Sequence, residues 1–147
     1  MNSWFECKVT YEKISESGSP KKISESYLVD ALSFTEAEER ITREISPFVS
    51  MGEFTVSNIK RAKIAELFLD PSELADRYFR CKVLFVTLDE KSGTEKKAPA
   101  IMFVKAASLP DAVKKLSEEM DKTLAAYEIA NVADTSIMDV FPYESGK

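Results

Sequence analysis

The sequence predicts an α+β fold made by internal duplication of a strand-strand-helix-strand unit, with antiparallel sheet and helices packed on one side. Three observations carry this. Trp4-Phe5-Glu6-Cys7-Lys8-Val9 returns as Tyr78-Phe79-Arg80-Cys81-Lys82-Val83, an aromatic pair, one charge, then Cys-Lys-Val. The first copy of that stretch alternates apolar and polar residues, the pattern of a strand with one buried face. A serine-headed helix start follows each copy, at Ser33 and at Ser108.

In chain order, Phe5, Cys7, Val9 and Tyr11 share one face of the first strand, and Trp4, Glu6, Lys8, Thr10 and Glu12 the other. Ser15 to Lys22, with Gly18 and Pro20, is turn material, and a second strand near Ile23–Leu32 completes a long hairpin. Ser33-Phe34-Thr35-Glu36 is a capping box, in which hydroxyl and carboxylate satisfy the orphan amides of a helix start. Ala37, Ile41 and Ile45 then recur at helical spacing until Pro47 stops the helix. After Met51-Gly52, Glu53 to Leu69 holds a strand or a bent pair of strands. Asp70-Pro71-Ser72-Glu73 predicts one short helical turn joining the copies.

The second copy begins at Tyr78. Its first strand, Phe79 to Leu88, is the more apolar, with Leu84 and Val86 on the other face, which predicts cover on both sides. Asp89 to Pro99 is the hairpin loop and Ala100 to Ala106 the return strand. Ser108, with Pro110 and Asp111, caps a helix whose stripe is Ala112, Leu116 and Met120, extended by Leu124. Tyr127 to Phe141 is the last strand region, and Ser145-Gly146-Lys147 should be loose. Ile64-Ala65-Glu66-Leu67-Phe68 matches Ile137-Met138-Asp139-Val140-Phe141 late in each copy. The expected organisation is a first repeat over 1–69, a linker over 70–77 and a second repeat over 78–147, together forming one compact domain.

The chain has 147 residues, a net charge of −5 and no histidine, which bounds the chemistry. The acidity argues against a broad basic surface for duplex DNA. Lack of histidine removes His-dependent triads, Cys-His pairs and His-ligated metals, and two cysteines are too few for a zinc site. No metal, no cofactor and no catalytic residue is expected. No apolar run reaches the roughly 20 residues that span a bilayer, and Met-Asn-Ser-Trp is no signal region, so the expected setting is cytoplasmic, without a membrane partner.

Several stretches together resemble a known family. They are the opening Trp-Phe-Glu-Cys-Lys-Val, the run Tyr27-Leu28-Val29-Asp30-Ala31-Leu32-Ser33-Phe34-Thr35-Glu36-Ala37-Glu38, then Leu88-Asp89-Glu90-Lys91-Ser92-Gly93, and Ile137 to Phe141. They are similar to an uncharacterised domain-of-unknown-function family found in gut Bacteroidetes and their phages. The likeness covers nearly the whole chain. It implies no catalytic residues and suggests a bacterial or phage intracellular setting.

Candidate contact residues fall in two groups. Trp4, Lys8, Tyr78, Arg80 and Lys82 are the outward members of the repeated strands, and rings set among cations suit single-stranded nucleic acid. Lys60, Arg61 and Lys63 lie in the densest basic stretch, whose counterpart Asn131-Val132-Ala133-Asp134-Thr135-Ser136 has lost its cations. Such a run is also what an ordinary solvated face looks like. Cys7 and Cys81 read as buried small hydrophobes rather than a redox pair, since no C-x-x-C spacing or histidine activates them. Asp30 and Lys105 are equivalents of opposite charge that either pair or are solvated. The acidic runs on the helices have no spacing that implies paired catalytic carboxylates.

The sequence therefore points to a small non-enzymatic binding or accessory protein, with single-stranded nucleic acid as the favoured ligand. The alternatives are a protein-interaction or self-assembling module using Leu84 and Val86, and a small-ligand binder with a cleft between the repeats.

Overall fold

The computed structural model describes residues 3–48, 53–69, 71, 72 and 74–142. It is α+β, as the periodicities predict. The strands are β1 (Ser3–Ile14), β2 (Pro20–Ala31), β3 (Phe54–Ala62), β4 (Glu66–Phe68), β5 (Arg77–Leu88), β6 (Glu95–Ala106), β7 (Tyr127–Asp134) and β8 (Ile137–Phe141). The helices are α1 (Phe34–Ile45) and α2 (Leu109–Asp121). No helix among the described residues is long and apolar enough to cross a membrane.

Both helices begin as their caps dictate. The Ser33 hydroxyl accepts from the Glu36 amide at 3.1 Å while the Glu36 carboxylate accepts from the Leu32 amide at 3.3 Å. Ser108 and Asp111 repeat the arrangement, at 3.3 Å to the Asp111 amide and 3.0 Å from the Ala107 amide. These reciprocal bonds satisfy amides that a first helical turn otherwise leaves unpaired. Leu124 does not extend the α2 stripe: the helix ends at Asp121 and Leu124 is fully exposed. Among the described residues next to the expected linker turn, the Ala75 amide donates to the Ser72 carbonyl at 3.2 Å and the Leu74 amide to the Ser72 hydroxyl at 3.2 Å. The ends of that capping box, Asp70 and Glu73, lie outside the described residues, as do Met51-Gly52 and Ser145-Gly146-Lys147.

The hairpins are longer than their polar loops suggest. β1 pairs with β2 to Ile14–Pro20, and β5 with β6 to Leu88–Glu95. Gly18 and Gly93 turn the chain at φ +85° and +69°, the left-handed region where glycine carries no steric penalty. Pro99 is tolerated inside β6 because β4 pairs only with Met102–Val104, which leaves the outer side of β6 free at Pro99.

The chain forms two compact units, Met1–Lys63 with Ser136–Lys147, and Ile64–Thr135. Unit 1 holds a sheet in the order β3-β1-β2-β8 and unit 2 one in the order β4-β6-β5-β7. Within each, three strands are antiparallel and one edge strand, β8 or β4, is parallel to its neighbour. The strand region late in each repeat is thus split in two. Its first part, β3 or β7, closes its own repeat's sheet, and its second part, β4 or β8, belongs to the other unit.

Each core lies between sheet and helix. In unit 1, Phe5, Cys7, Val9, Val29 and Ala31 pack against Ala37, Ile41 and Ile45. In unit 2, Phe79, Cys81, Val83, Met102, Val104 and Ala106 pack against Ala112, Leu116 and Met120. β8 contributes the buried Ile137 and Val140, and its Phe141 ring stacks on Tyr27 with centroids 5.9 Å apart.

A chain ending at Thr135 lacks β8 but keeps every strand of unit 2. Hydrogen exchange should speed up along β1 and β2 and stay slow along β5 and β6. Loss of protection in β5 and β6 instead would mean that the end of the second repeat supports its own copy.

Candidate binding surface

In each unit one sheet face meets the helix and the other, the outer face, does not. The outer face of β1 carries Trp4, Glu6, Lys8, Thr10 and Glu12, opposite Asp30, Leu28, Ser26, Ser24 and Lys22 of β2. In β5 and β6 the matching pairs are Tyr78 with Lys105, Arg80 with Phe103, Lys82 with Ile101, Leu84 with Pro99 and Val86 with Lys97.

The eight candidate residues fall in both units, and within unit 1 they do not share one face of the sheet. Trp4 and Lys8 share the outer face of unit 1, Trp4 half-buried and Lys8 exposed. Lys60 lies opposite Glu6 and forms an ion pair with it at 3.2 Å. Lys63 is exposed just past β3. In unit 2, Arg80 and Lys82 are exposed, but Tyr78 is 3% exposed and its ring carries the Lys105 ammonium at 5.9 Å. Tyr78 therefore offers no open ring for a base to stack on, a correction to the pattern-based expectation. Leu84 and Val86 are only half-buried, so the predicted full cover of both faces is not met there.

Arg61 also departs from the basic-patch reading. It lies opposite Phe5, on the helix side of the sheet. Its guanidinium sits 5.1 Å from the Phe5 ring centroid and 5.2 Å from that of Phe34, and donates to the Ser3 hydroxyl at 3.2 Å. Unit 2 meets the same need from the other strand. Arg77, the counterpart of Ser3, lies 5.1 Å over Phe79 and is ion-paired to Asp134, the counterpart of Arg61. A cation over the equivalent ring is common to both copies while the strand supplying it has changed. Arg61 is thus a packing residue, stabilised by the ring quadrupole.

Both cysteines are enclosed, each in its own unit's core. Burial, with Glu6 adding to it, pushes the Cys7 thiol up to about 12, and burial pushes Cys81 up to about 11. Neither is a nucleophile near neutral pH. Among the described residues no group of three or more metal-ligating side chains occurs.

A feature not picked out from the sequence is a difference between the copies on the outer face of the hairpins. In unit 1, Thr10 is hydrogen-bonded to Ser24 at 3.0 Å and Ser57 at 3.1 Å, and Ser26 lies beside Lys8. The corresponding positions in unit 2 hold Leu84, Pro99 and Ile101, followed by Val86 and by Leu88, which is 66% exposed. Arg80 and Lys82 flank this apolar strip. Aligning the copies position by position through the hairpins would have found it.

Two measurements test these assignments. A thiol reagent at pH 8 should leave both cysteines unmodified in the folded protein and label both in denaturant. Unfolded thiols ionise from about 9 and folded ones only towards 11 to 12, so the unfolded chain loses protons first. Stability should accordingly fall as pH rises above about 9. Second, Arg77→Ser and Asp134→Arg should each lower stability, and the double variant, which rebuilds the Ser3–Arg61 arrangement in unit 2, should recover about 0.5–1 kcal/mol in a denaturant titration.

No curated protein matches the chain. The model of a domain of unknown function, DUF4494, matches residues 3–143, and the chain belongs to that family.

Proposed function

We propose that the protein is a non-enzymatic binding module for a protein partner, with the outer face of the β5–β6 hairpin as its contact surface. The observation that supports this is the contrast between copies: hydroxyls at Thr10, Ser24 and Ser26 against Leu84, Pro99 and Ile101. The same hairpin can evidently be finished in polar residues, so the apolar finish of the second is not a demand of the fold. Half-buried Leu84, Val86 and Ile101 beside the exposed Pro99 and Leu88 leave apolar surface that favours contact with another protein. Arg80 and Lys82 at their flank suit a partner whose apolar groups are ringed by carboxylates. A cytoplasmic, bacterial or phage setting accords with this reading.

Single-stranded nucleic acid is the weaker reading. Lys8, Lys60, Arg61, Lys63, Arg80 and Lys82 are all exposed in its favour, but Tyr78 is buried, Arg61 lies over the Phe5 and Phe34 rings and Lys60 is paired with Glu6. Small-ligand binding has less support. The depression in unit 2 lined by Phe68, Leu69, Val104 and Lys115 measures about 200 Å³, below the roughly 300 Å³ at which ligand pockets begin, and the one in unit 1, about 520 Å³, is lined mostly by the exposed polar side chains Glu38, Thr42, Glu53 and Thr55 rather than by apolar ones.

The test pairs two variants with two ligands. Leu88→Glu alters an exposed side chain and leaves the fold untouched, while Val86→Glu is checked by circular dichroism. In quantitative affinity capture from the producing cell, a discrete protein retained by the wild type should fall at least tenfold with either variant. Labelled single-stranded DNA should show no saturable anisotropy change at low salt. Capture unaffected by both variants overturns the proposal. DNA binding that weakens with salt and is lost in Lys8→Ala, Arg80→Ala and Lys82→Ala puts the nucleic-acid reading in its place.

A further inference from the structure

A second difference between the copies lies on the opposite face, in unit 1. Tyr11 of β1 and Glu25 and Tyr27 of β2 occupy the helix side of the first hairpin, at the edge of the stretch that α1 covers. The Tyr27 hydroxyl donates to Glu25 Oε1 at 3.4 Å, and the same carboxylate holds the Tyr11 phenol above its ordinary value. Phe141 backs the Tyr27 ring in a stacked arrangement, with planes 21° apart, and Phe54 lies opposite Tyr11. Asp139 of β8 is the cross-strand neighbour of Tyr27.

Unit 2 is an internal control for what the fold requires. Through the hairpin registers, Tyr11, Glu25 and Tyr27 correspond to Phe85, Ala100 and Met102, and Phe68 stands where Phe141 does. The same scaffold is completed there without a polar atom in these side chains. Half-burying a carboxylate among aromatic rings is unfavourable unless it is partnered. Glu25 is half-buried, and among the described residues no Lys or Arg forms an ion pair with it. Its hydrogen-bond partner is the Tyr27 phenol, which neutralises none of its charge. Burial and Glu25 push the Tyr27 phenol up to about 12, and Glu25 also raises Tyr11, so both remain neutral donors across the physiological range.

A carboxylate beside tyrosine rings, with a second carboxylate across the strand from one of them, is the complement of an organic cation. We propose that Tyr11, Glu25 and Tyr27, with Phe141 and Asp139, form a binding site for an alkylammonium group. The rings contact the alkyl portion, and Glu25 receives the charge. The group has two possible sources, a free amine or the lysine side chain of a polypeptide. The site is in the other unit from the β5–β6 hairpin and stands independently of the proposed function.

The probes are n-butylammonium chloride and N-acetyl-lysine amide, titrated into the full chain against sodium chloride at matched ionic strength. Backbone amide NMR shifts of Tyr11, Glu25 and Tyr27 provide the readout, with Phe85, Ala100 and Met102 as the reference within the same molecule. Saturable shifts at the first three and none at the reference three are expected. Affinity should fall at least tenfold in Glu25→Gln and several-fold in Tyr27→Phe. The equivalent alanine at position 100 indicates that Glu25→Gln folds, and circular dichroism confirms it. Tighter binding of the lysine amide identifies a polypeptide source, and equal binding a free amine. Equal shifts with sodium chloride, equal shifts at the reference residues, or unchanged affinity in Glu25→Gln would each overturn the proposal.

Discussion

The links between the paired strand segments are too short to let either repeat complete its own sheet. β3 lies at one edge of its sheet and the parallel strand position beside β2 at the other, three strand spacings away, roughly 14 Å. Only Lys63, Ile64 and Ala65 separate β3 from β4, and the four Cα steps from Ala62 to Glu66 span at most about 14 Å fully extended, which leaves no slack. Direction adds a second obstacle. β3 and the parallel edge strand run the same way, and joining parallel strands in one sheet takes a crossover of about a dozen residues. With Thr135 and Ser136 alone between β7 and β8, the second repeat is bound by the same limit. Each repeat therefore sends its last strand into the other unit. The parallel pairing of β4 and β8, in sheets otherwise antiparallel, follows from this exchange.

Duplication also separates what the unit requires from what it tolerates. Phe5 and Phe79, Cys7 and Cys81, Val9 and Val83, and Ala37 and Ala112 occupy the same places in the two cores. The capping serines are likewise kept. A guanidinium lies over the first ring in both copies, but it comes from β3 in one and from the start of β5 in the other. What is retained there is an electrostatic contact and not a residue. Exchanging the strand that carries the charge is neutral so long as the facing position changes with it, from Ser3 to Arg77 and from Arg61 to Asp134.

Most of the fold was legible because it rests on local signals. The alternation of Phe5, Cys7 and Val9 identified the core face, and Ser33 and Ser108 identified the helix starts. The exchange was not, since Glu66 to Phe68 reads as the same short strand wherever it docks. Alternation also defines two faces without saying what covers the second, which is why Tyr78 read as an open ring when it is buried. The basic stretch misled for a different reason. Lys60 and Arg61 are neighbours on a strand and so point to opposite faces, a consequence of period two that a count of charges ignores. A bulge after Lys8, at Ser57, further shifts the phase of β3 against β1.

The two hairpin ends differ on both faces at once. In unit 1 the outer face ends in Thr10, Ser24 and Ser26 and the helix side in Tyr11, Glu25 and Tyr27; in unit 2 these become Leu84, Pro99, Ile101, Phe85, Ala100 and Met102. The ends of β5 and β6 past Val86 and Ala98 pair only with each other, so their two faces are close to water. Solvent there favours polar residues, as the first copy illustrates. Met102 belongs to the unit 2 core and Phe85 and Ala100 pack against it, whereas on the outer face Leu84, Val86 and Ile101 are half-buried and Pro99 and Leu88 exposed, and they keep apolar surface that association with another molecule would remove. The opposite substitution, a carboxylate and two phenols where apolar side chains suffice, gains nothing in packing. Each departure occurs in one copy only, whereas a requirement of the shared fold would appear in both.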